Sequence, residues 1–465
     1  MCEGIALELE GIELGDQRLN KRSLAILEAL AANPEASINA SMESWGETLA
    51  AYRFFRNSNV HPEQILCPHR EATERRMREH PVVLVVQDTT EFDFTAHPPQ
   101  DAQCLEVEHR FGLYDHTHLA VTPEKLCLGV VGSEQFDRAR ETLGKGRARK
   151  FLPIEEKESF RWLTGYRLAC ELQQRCGSTQ IISVADCEAD IYEIFVEVQR
   201  QTTSADFIIR ARENRSTPQR DLTHEGRVFF KVLDRLTETP VRVRRTIALP
   251  QTPKRPAREA ELEIRALTIE VKPPDSRSDL PTVSQQFVWV REVNGPGDKT
   301  EVSWLLMTTL PVESTADILR VVDCYVARWT VEIYFRALKT GCRVEKIQLE
   351  TLHRVKNCLA FYKIIAWRII YLTYLNRTTP ELPCTAVFAE CEWKSVWQVT
   401  KKQPPPRQPP TLGDFIRLLT SLGGYNNRPS EPPPGPQVFW TALRRMLDFS
   451  LAWQTFGPKS RDVYK

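Results

Sequence analysis

The chain lacks the spacings that would make its cysteines structural. Twelve are scattered over 465 residues, with no CxxC pair and no Cys/His cluster at zinc spacing, so neither a structural zinc site nor a disulfide framework is indicated. Reduced thiols are expected. A dominant charge is also missing: 62 Lys and Arg against 61 Asp and Glu leave a net +1, which argues against a uniformly basic nucleic-acid binder. The opening MCEGIALELEGIELGD is acidic and has no basic-then-apolar order, so a cytosolic protein without a signal peptide is expected. No long apolar run is free of charge, because CLAFYKIIAWRIIYLTYL carries Lys363 and Arg368. A buried helix is expected there rather than a membrane span.

What is present describes an ordinary soluble globular protein, 42% hydrophobic and 26% charged. The length suggests two to four domains. Charge is unevenly placed: residues 333 to 377 hold nine basic residues against Glu345 and Glu350, residues 138 to 150 hold six against Glu141, and residues 242 to 258 hold six against none. Such patches fit a polyanionic partner, although basic stretches are also ordinary solvated surface.

Hydrophobic periodicity divides the chain. Residues 1–70 read as helical, with an N-cap at Asp16, apolar positions at helical spacing and a stop at Pro34. From 71 to 211 the pattern is mixed: PVVLVVQD is a strand covered on both faces, THLAVT and KLCLGVV form a hairpin, and helices alternate with the strands IISVAD and FIIRAR. That order predicts an α/β core, a mixed sheet with helices on both faces. Residues 212–310 alternate in short segments, as an all-β insertion would. Residues 311–345 return to helix, opened by a capping box at Ser314 and Asp317 and closed by a C′ glycine at Gly341. Residues 346–465 are helical, interrupted by proline clusters near 403 and 431.

Within YVARWTVEIYFRALK, Tyr325, Arg328, Glu332 and Lys339 fall within an arc of about 60° on a helix, with Arg336 beside them. Taken alone, such a stripe is a solvated face with ordinary ion pairs. Asp88 ends VVLVVQD and Asp186 ends IISVAD, and either alone reads as a turn or an N-cap. Together, two aspartates and a helical glutamate are what a protein needs to hold a pair of hard divalent cations against a phosphodiester. His116 and His118, alternating in the hairpin, are read as structural. Trp304 reads from its surroundings as a core residue of a β segment.

These residues resemble the DDE transposases of bacterial insertion sequences, in the family-four branch that includes the transposase of the composite kanamycin-resistance transposon. The branch is marked by Tyr, Arg, Glu and Lys separated by two, three and six residues, the spacing of Tyr325, Arg328, Glu332 and Lys339. QDTT at 87–90, KESFRW at 157–162, ADCEADIYE at 185–193, WLLMTTLPVES at 304–314, and GDQRLNKR with AAYRFFRN also look like the family.

The resemblance implies an RNase H-like catalytic core interrupted by the β insertion, a helical N-terminal domain on the transposon end and a helical C-terminal dimerisation region. It implies that Asp88, Asp186 and Glu332 bind two Mg²⁺, with Mn²⁺ as a substitute. Tyr325, Arg328, Arg336 and Lys339 would grip phosphates near the cut. Trp304 would stack on a flipped base, Arg210 would face DNA, and Arg18, Arg22, Tyr52 and Arg53 would bind the end. The implied partners are double-stranded DNA, as terminal inverted repeats and target, and a second copy of the chain; no membrane partner is implied. The site of action would be the bacterial cytoplasm, at the nucleoid. Cys187 departs from the pattern, standing where many relatives have arginine. A metal-dependent nuclease with the same core and a non-catalytic end-binding inhibitor remain alternative readings.

Overall fold

A computed structural model of the chain describes residues 3–105, 109–137, 152–200, 204–220, 229–249, 251, 255–298, 300–428, 431 and 433–457. The basic stretch 138–150 and Lys254 lie outside the described residues.

The N-terminal segment is helical for the reasons its sequence suggests. Helix α1 (Gln17–Ala32) begins where the Asp16 carboxylate accepts the Arg18 backbone N–H at 2.8 Å, and ends just before Pro34. Helices α2 (Trp45–Arg56) and α3 (Pro62–Met77) follow, and α3 runs through residue 70 without a break. Glu8 ties this segment to the rest. Its carboxylate meets His69 Nδ1 at 2.5 Å and Arg76 at 2.9 Å, while the Val130 N–H donates to His69 Nε2 at 3.0 Å. The imidazole therefore donates from Nδ1 while remaining neutral. Burial opposes ionisation of Glu8, but His69 and Arg76 outweigh it and hold the carboxyl at about 2.

The apolar run Val83–Val86 is fully buried at the centre of strand β1 (Val82–Asp93). Each such side chain contributes roughly 1.5–3 kcal/mol relative to exposure. The expected hairpin forms from β2 (Phe111–Val121) and β3 (Cys127–Phe136), with β2 antiparallel to β1. On the other side of β1 lie β4 (Gln180–Ala185) and β5 (Asp206–Arg210), both parallel to it, giving the order β3-β2-β1-β4-β5. Helix α4 (Phe160–Cys176) packs on β1, β3 and β4, and helix α5 (Tyr192–Arg200) follows β4.

The insertion differs from the all-β expectation in two ways. It contains a helix, α6 (Val232–Glu238), because Val232 and Leu236 bury one face, Asp234 caps the start, and Arg265 binds the carbonyls of Thr237 and Thr239 at 2.6 and 2.7 Å. Its strands β6 (Val243–Leu249), β7 (Arg258–Val271), β8 (Val283–Val293) and β9 (Ser303–Thr308) extend the core sheet, while Ser216–Arg220 and Phe229–Lys231 pair as a separate two-stranded ribbon. Leu306, Met307 and Thr308 of β9 pair with Arg210, Ile209 and Ile208 of β5, so β1–β9 and the two-residue strand Gln103–Cys104 beside β2 form one mixed sheet of ten strands.

The chain returns through α7 (Thr315–Ala327) and α8 (Thr330–Arg336) to the 27-residue α9 (Leu352–Thr378). Helix α9 is long and apolar enough to cross a membrane, yet 89% of its most apolar stretch is buried inside the protein. It is the packing axis for α1, α2, α3 and β3. Its Lys363 is buried in an ion pair with the buried Asp115, and Ser133 accepts a second Lys363 bond. Helices α10 (Glu390–Lys401), α11 (Leu412–Leu422) and α12 (Pro436–Phe456) complete the C-terminal region.

Candidate active site

Asp88 does not end its strand. β1 continues to Asp93 because β2 pairs with it as far as Gly112, whereas the pairing with β4 stops at Val86. Asp88 therefore sits just past the point where β1 loses one neighbour. Asp186 follows the last residue of β4, as expected, and caps the short 3₁₀ turn Cys187–Ala189 by accepting the Glu188 N–H at 2.8 Å. The two aspartates thus stand just beyond the end of the parallel pairing between the neighbouring interior strands β1 and β4.

Glu332 stands in the first turn of α8, just after the Arg328–Trp329 connection from α7. Around Arg328 the helix tightens, with Arg328 N–H bonded to Tyr325 O and Val331 N–H to Arg328 O. The expected single helix to Gly341 is instead α7, α8 and a π-helical turn at Ala337–Gly341, closed by Cys342 N–H on Ala337 O at 2.8 Å. Gly341 is not a left-handed cap; that conformation belongs to Arg343, with φ 51°. Glycine is required at 341 because a Cβ would come 2.8 Å from the Trp440 ring.

Arg328 joins the remote parts. Its guanidinium donates to Asp88 Oδ2 at 3.0 Å, across 240 positions of sequence, and to Glu332 Oε1 at 2.9 Å. The same group lies 6.0 Å from the ring centres of Tyr325 and Trp329. Burial pushes the Asp88 carboxyl up, Arg328 opposes this, and the charges of Asp186 and Glu332 push it further, to about 6. One arginine therefore does not neutralise the three acids. Among the described residues, no three His, Cys, Asp or Glu side chains stand as a ready-made metal cage. The Arg328 guanidinium stands between Asp88 and Glu332, bonded to both. The donor set nevertheless fits a hard divalent cation: three carboxylates, with excess negative charge that a cation would relieve.

The other expected residues divide into near and far. Tyr325 is buried with its ring centre 5.7 Å from that of half-buried Trp304, and burial pushes its phenol up. Arg210 donates to Ser303 O at 3.3 Å beside the same pair. Lys339 stands 3.8 Å from Glu345 and 5.8 Å from the Phe92 ring centre, further along β1, and Arg336 is exposed. Arg18, Arg22, Tyr52 and Arg53 lie on α1 and α2, which pack on each other and on α9, away from the elements bearing the carboxylates. Arg18 is bound to its own cap, Asp16, and the Tyr52 hydroxyl to Asn39. Cys187 is half-buried, and burial followed by Asp186 pushes its thiol up. His116 and His118 are buried and low in pKa through desolvation, consistent with neutral structural groups.

Two residues escaped the sequence reading. Trp329, next to Arg328, is 56% exposed, an unusual cost for an indole. Its signal was an aromatic inside the stripe but turned off its axis. Arg161 is buried behind both aspartates, and only its place in KESFRW hinted at a role.

Three segments of the chain match transposase families: Transposase DNA-binding over residues 1–60, Transposase DDE domain over 171–368, and Transposase Tn5 dimerisation domain over 364–453. The chain therefore carries the domains of a DDE transposase. Of the three, the match over 364–453 is the one described as of the Tn5 type. Asp186 and Glu332 fall inside the DDE match, and Asp88 lies before it. Among solved structures, a piggyBac transposase synaptic complex with hairpin DNA is similar at TM-score 0.35 and 10% identity, covering 100% of this chain and 80% of that one.

Proposed function

We propose that this chain is a cut-and-paste DNA transposase of the family-four branch, acting at the terminal inverted repeats of its element. The observation that carries the reading is the convergence of Asp88 and Glu332 on Arg328, with Asp186 close enough to raise the Asp88 pKa. The strand order β3-β2-β1-β4-β5, with the first three antiparallel and the last two parallel to β1, supports an RNase H-like core. Asp88, Asp186 and Glu332 would hold two Mg²⁺, or Mn²⁺, which supply activation of the attacking oxygen and stabilisation of the leaving oxygen in phosphodiester displacement.

The remaining chemistry belongs to the side chains. Arg328 and Lys339 place positive charge where scissile phosphates bind, and Arg336 extends it toward solvent. Tyr325 fixes the position of Trp304, whose indole stacks on an extruded base, and exposed Trp329 offers a second stacking surface. The same site then nicks one strand, lets the freed 3′-hydroxyl form a hairpin, reopens it and joins the ends to target DNA. Residues 1–70 read the terminal repeat and residues 346–465 hold two copies together, in the cytoplasm on nucleoid DNA.

The test is Asp88→Ala, Asp186→Ala and Glu332→Ala in turn. Each is expected to bind end DNA normally and to lose Mg²⁺-dependent cleavage; normal cleavage by any of them refutes the assignment.

A further inference from the structure

Asp88 and Asp186 are oriented by the same local device. The Thr89 N–H donates to Asp88 Oδ1 at 2.8 Å, and the Glu188 N–H donates to Asp186 Oδ1 at 2.8 Å. One side chain grips both donors' residues: Arg161 Nε donates to Thr89 Oγ1 at 3.1 Å and Nη2 to Glu188 Oε2 at 2.9 Å. Its third nitrogen, Nη1, is held by Glu158 O at 2.7 Å, and the guanidinium rests 5.3 Å from the Phe136 ring centre and 5.6 Å from that of Trp162.

The links close into a ring beneath the two aspartates. Thr89 Oγ1 is 2.9 Å from His116 Nδ1, His116 Nε2 is 3.2 Å from Gln87 Oε1, and Gln87 Nε2 donates to Ser183 Oγ at 3.0 Å. Ser183 stands on β4 three residues before Asp186, and the chain then leads through Glu188 back to Arg161. Because Thr89 Oγ1 accepts from Arg161, its hydroxyl proton is free to point at His116 Nδ1, which leaves Nε2–H to donate to Gln87. The four bonds then run in one sense, from Arg161 through Thr89, His116 and Gln87 to Ser183. Both flanks of Asp88 are tied to the strand or turn that carries Asp186.

We infer that Arg161 is a positioning residue that sets the spacing of Asp88 and Asp186 and so the affinity of the site for divalent cations. The inference rests on the assignment of those aspartates as metal ligands. A guanidinium suits the task because its fork reaches two acceptors in fixed directions, which an ammonium does not do.

The test is Mn²⁺ binding to the full chain, followed by electron paramagnetic resonance, beside the Mg²⁺ dependence of nicking. Removing an outer-shell partner typically weakens metal binding roughly 10- to 100-fold. Arg161→Gln is expected to weaken Mn²⁺ binding about tenfold and to raise the Mg²⁺ needed for half-maximal nicking by a similar factor, with end-DNA affinity unchanged. Arg161→Lys is expected to remain defective, since it keeps the charge and loses the span. Glu188→Gln, which alters an exposed partner and leaves the core intact, is expected to shift both readings about threefold in the same direction.

Unchanged Mn²⁺ affinity in folded Arg161→Gln, or full rescue by Arg161→Lys, overturns the inference. If the Arg161 variants do not fold, an unshifted Glu188→Gln overturns it. Asp88→Asn and Asp186→Asn separate the two levels of the account. If they bind Mn²⁺ as the native chain does, the metal-site assignment fails; if they lose it while Arg161→Gln does not, only the positioning role fails.

Discussion

Asp88→Asn is expected to make the metal-free protein more stable at neutral pH. The folded state raises this carboxyl from 3.8 to about 6, so at about 1.36 kcal/mol per pKa unit its ionisation costs the fold about 3 kcal/mol. The cost is absent when the group is protonated in both states, below about 3.8, and grows as pH rises, because the folded chain then holds a proton that the unfolded chain has released. It is complete just above 6. Asparagine keeps the shape and an oxygen for the Thr89 N–H and carries no charge at any pH; its amide nitrogen gives up the bond accepted from Arg328, which keeps Glu332 as a partner.

In chelator, melting of the variant should exceed that of the native chain by about 3 °C at pH 7.5, with the difference small at pH 4. Added Mg²⁺ should raise the native melting point and leave the variant unmoved. An asparagine variant that melts at or below the native temperature at pH 7.5, or a gap that does not shrink on acidification, refutes the electrostatic reasoning.

Two further perturbations reach other parts of the account. Trp304→Ala should nick the first strand normally and form fewer hairpins, because only the later step needs an extruded base to stack; gel analysis showing native hairpin yield removes that role. Lys363→Met removes the cation from Asp115 in the core, leaving it the hydroxyls of Thr117 and Ser133 and the Gln135 amide among the described residues. Breaking a buried pair this way costs about 3–5 kcal/mol, so the melting temperature should fall several degrees. A native melting curve would mean the pair is energetically idle.

Within the stripe, the Arg328–Glu332 pair was legible because helical spacing is local and the two bond one turn apart at 2.9 Å, whereas the break after Ala327 and the π turn, which set Lys339 beside Glu345, were not. Asp186 was legible for the same reason, since IISVA stops being apolar where β4 stops. Asp88 was placed at a strand end because apolar content falls there, but the hairpin partner β2 continues to pair with the polar TTEFD segment. The joining of the insertion to the core sheet depends on register between β5 and β9, about a hundred residues apart in sequence, which no local pattern encodes. Helix α6 was hidden because a seven-residue helix buries only two apolar positions and relies on a distant arginine to cap its end. Arg161 was invisible as chemistry since its partners Thr89 and Glu188 are 72 and 27 positions away.

The most direct measurement is anomalous scattering from Mn²⁺ in crystals of the protein bound to a terminal DNA duplex. The account predicts manganese peaks among the carboxylates of Asp88, Asp186 and Glu332, with the Arg328 guanidinium turned from at least one of them toward phosphate. Manganese bound elsewhere, with Asp88 and Glu332 still bridged by Arg328 in the presence of cleavable DNA, would contradict it.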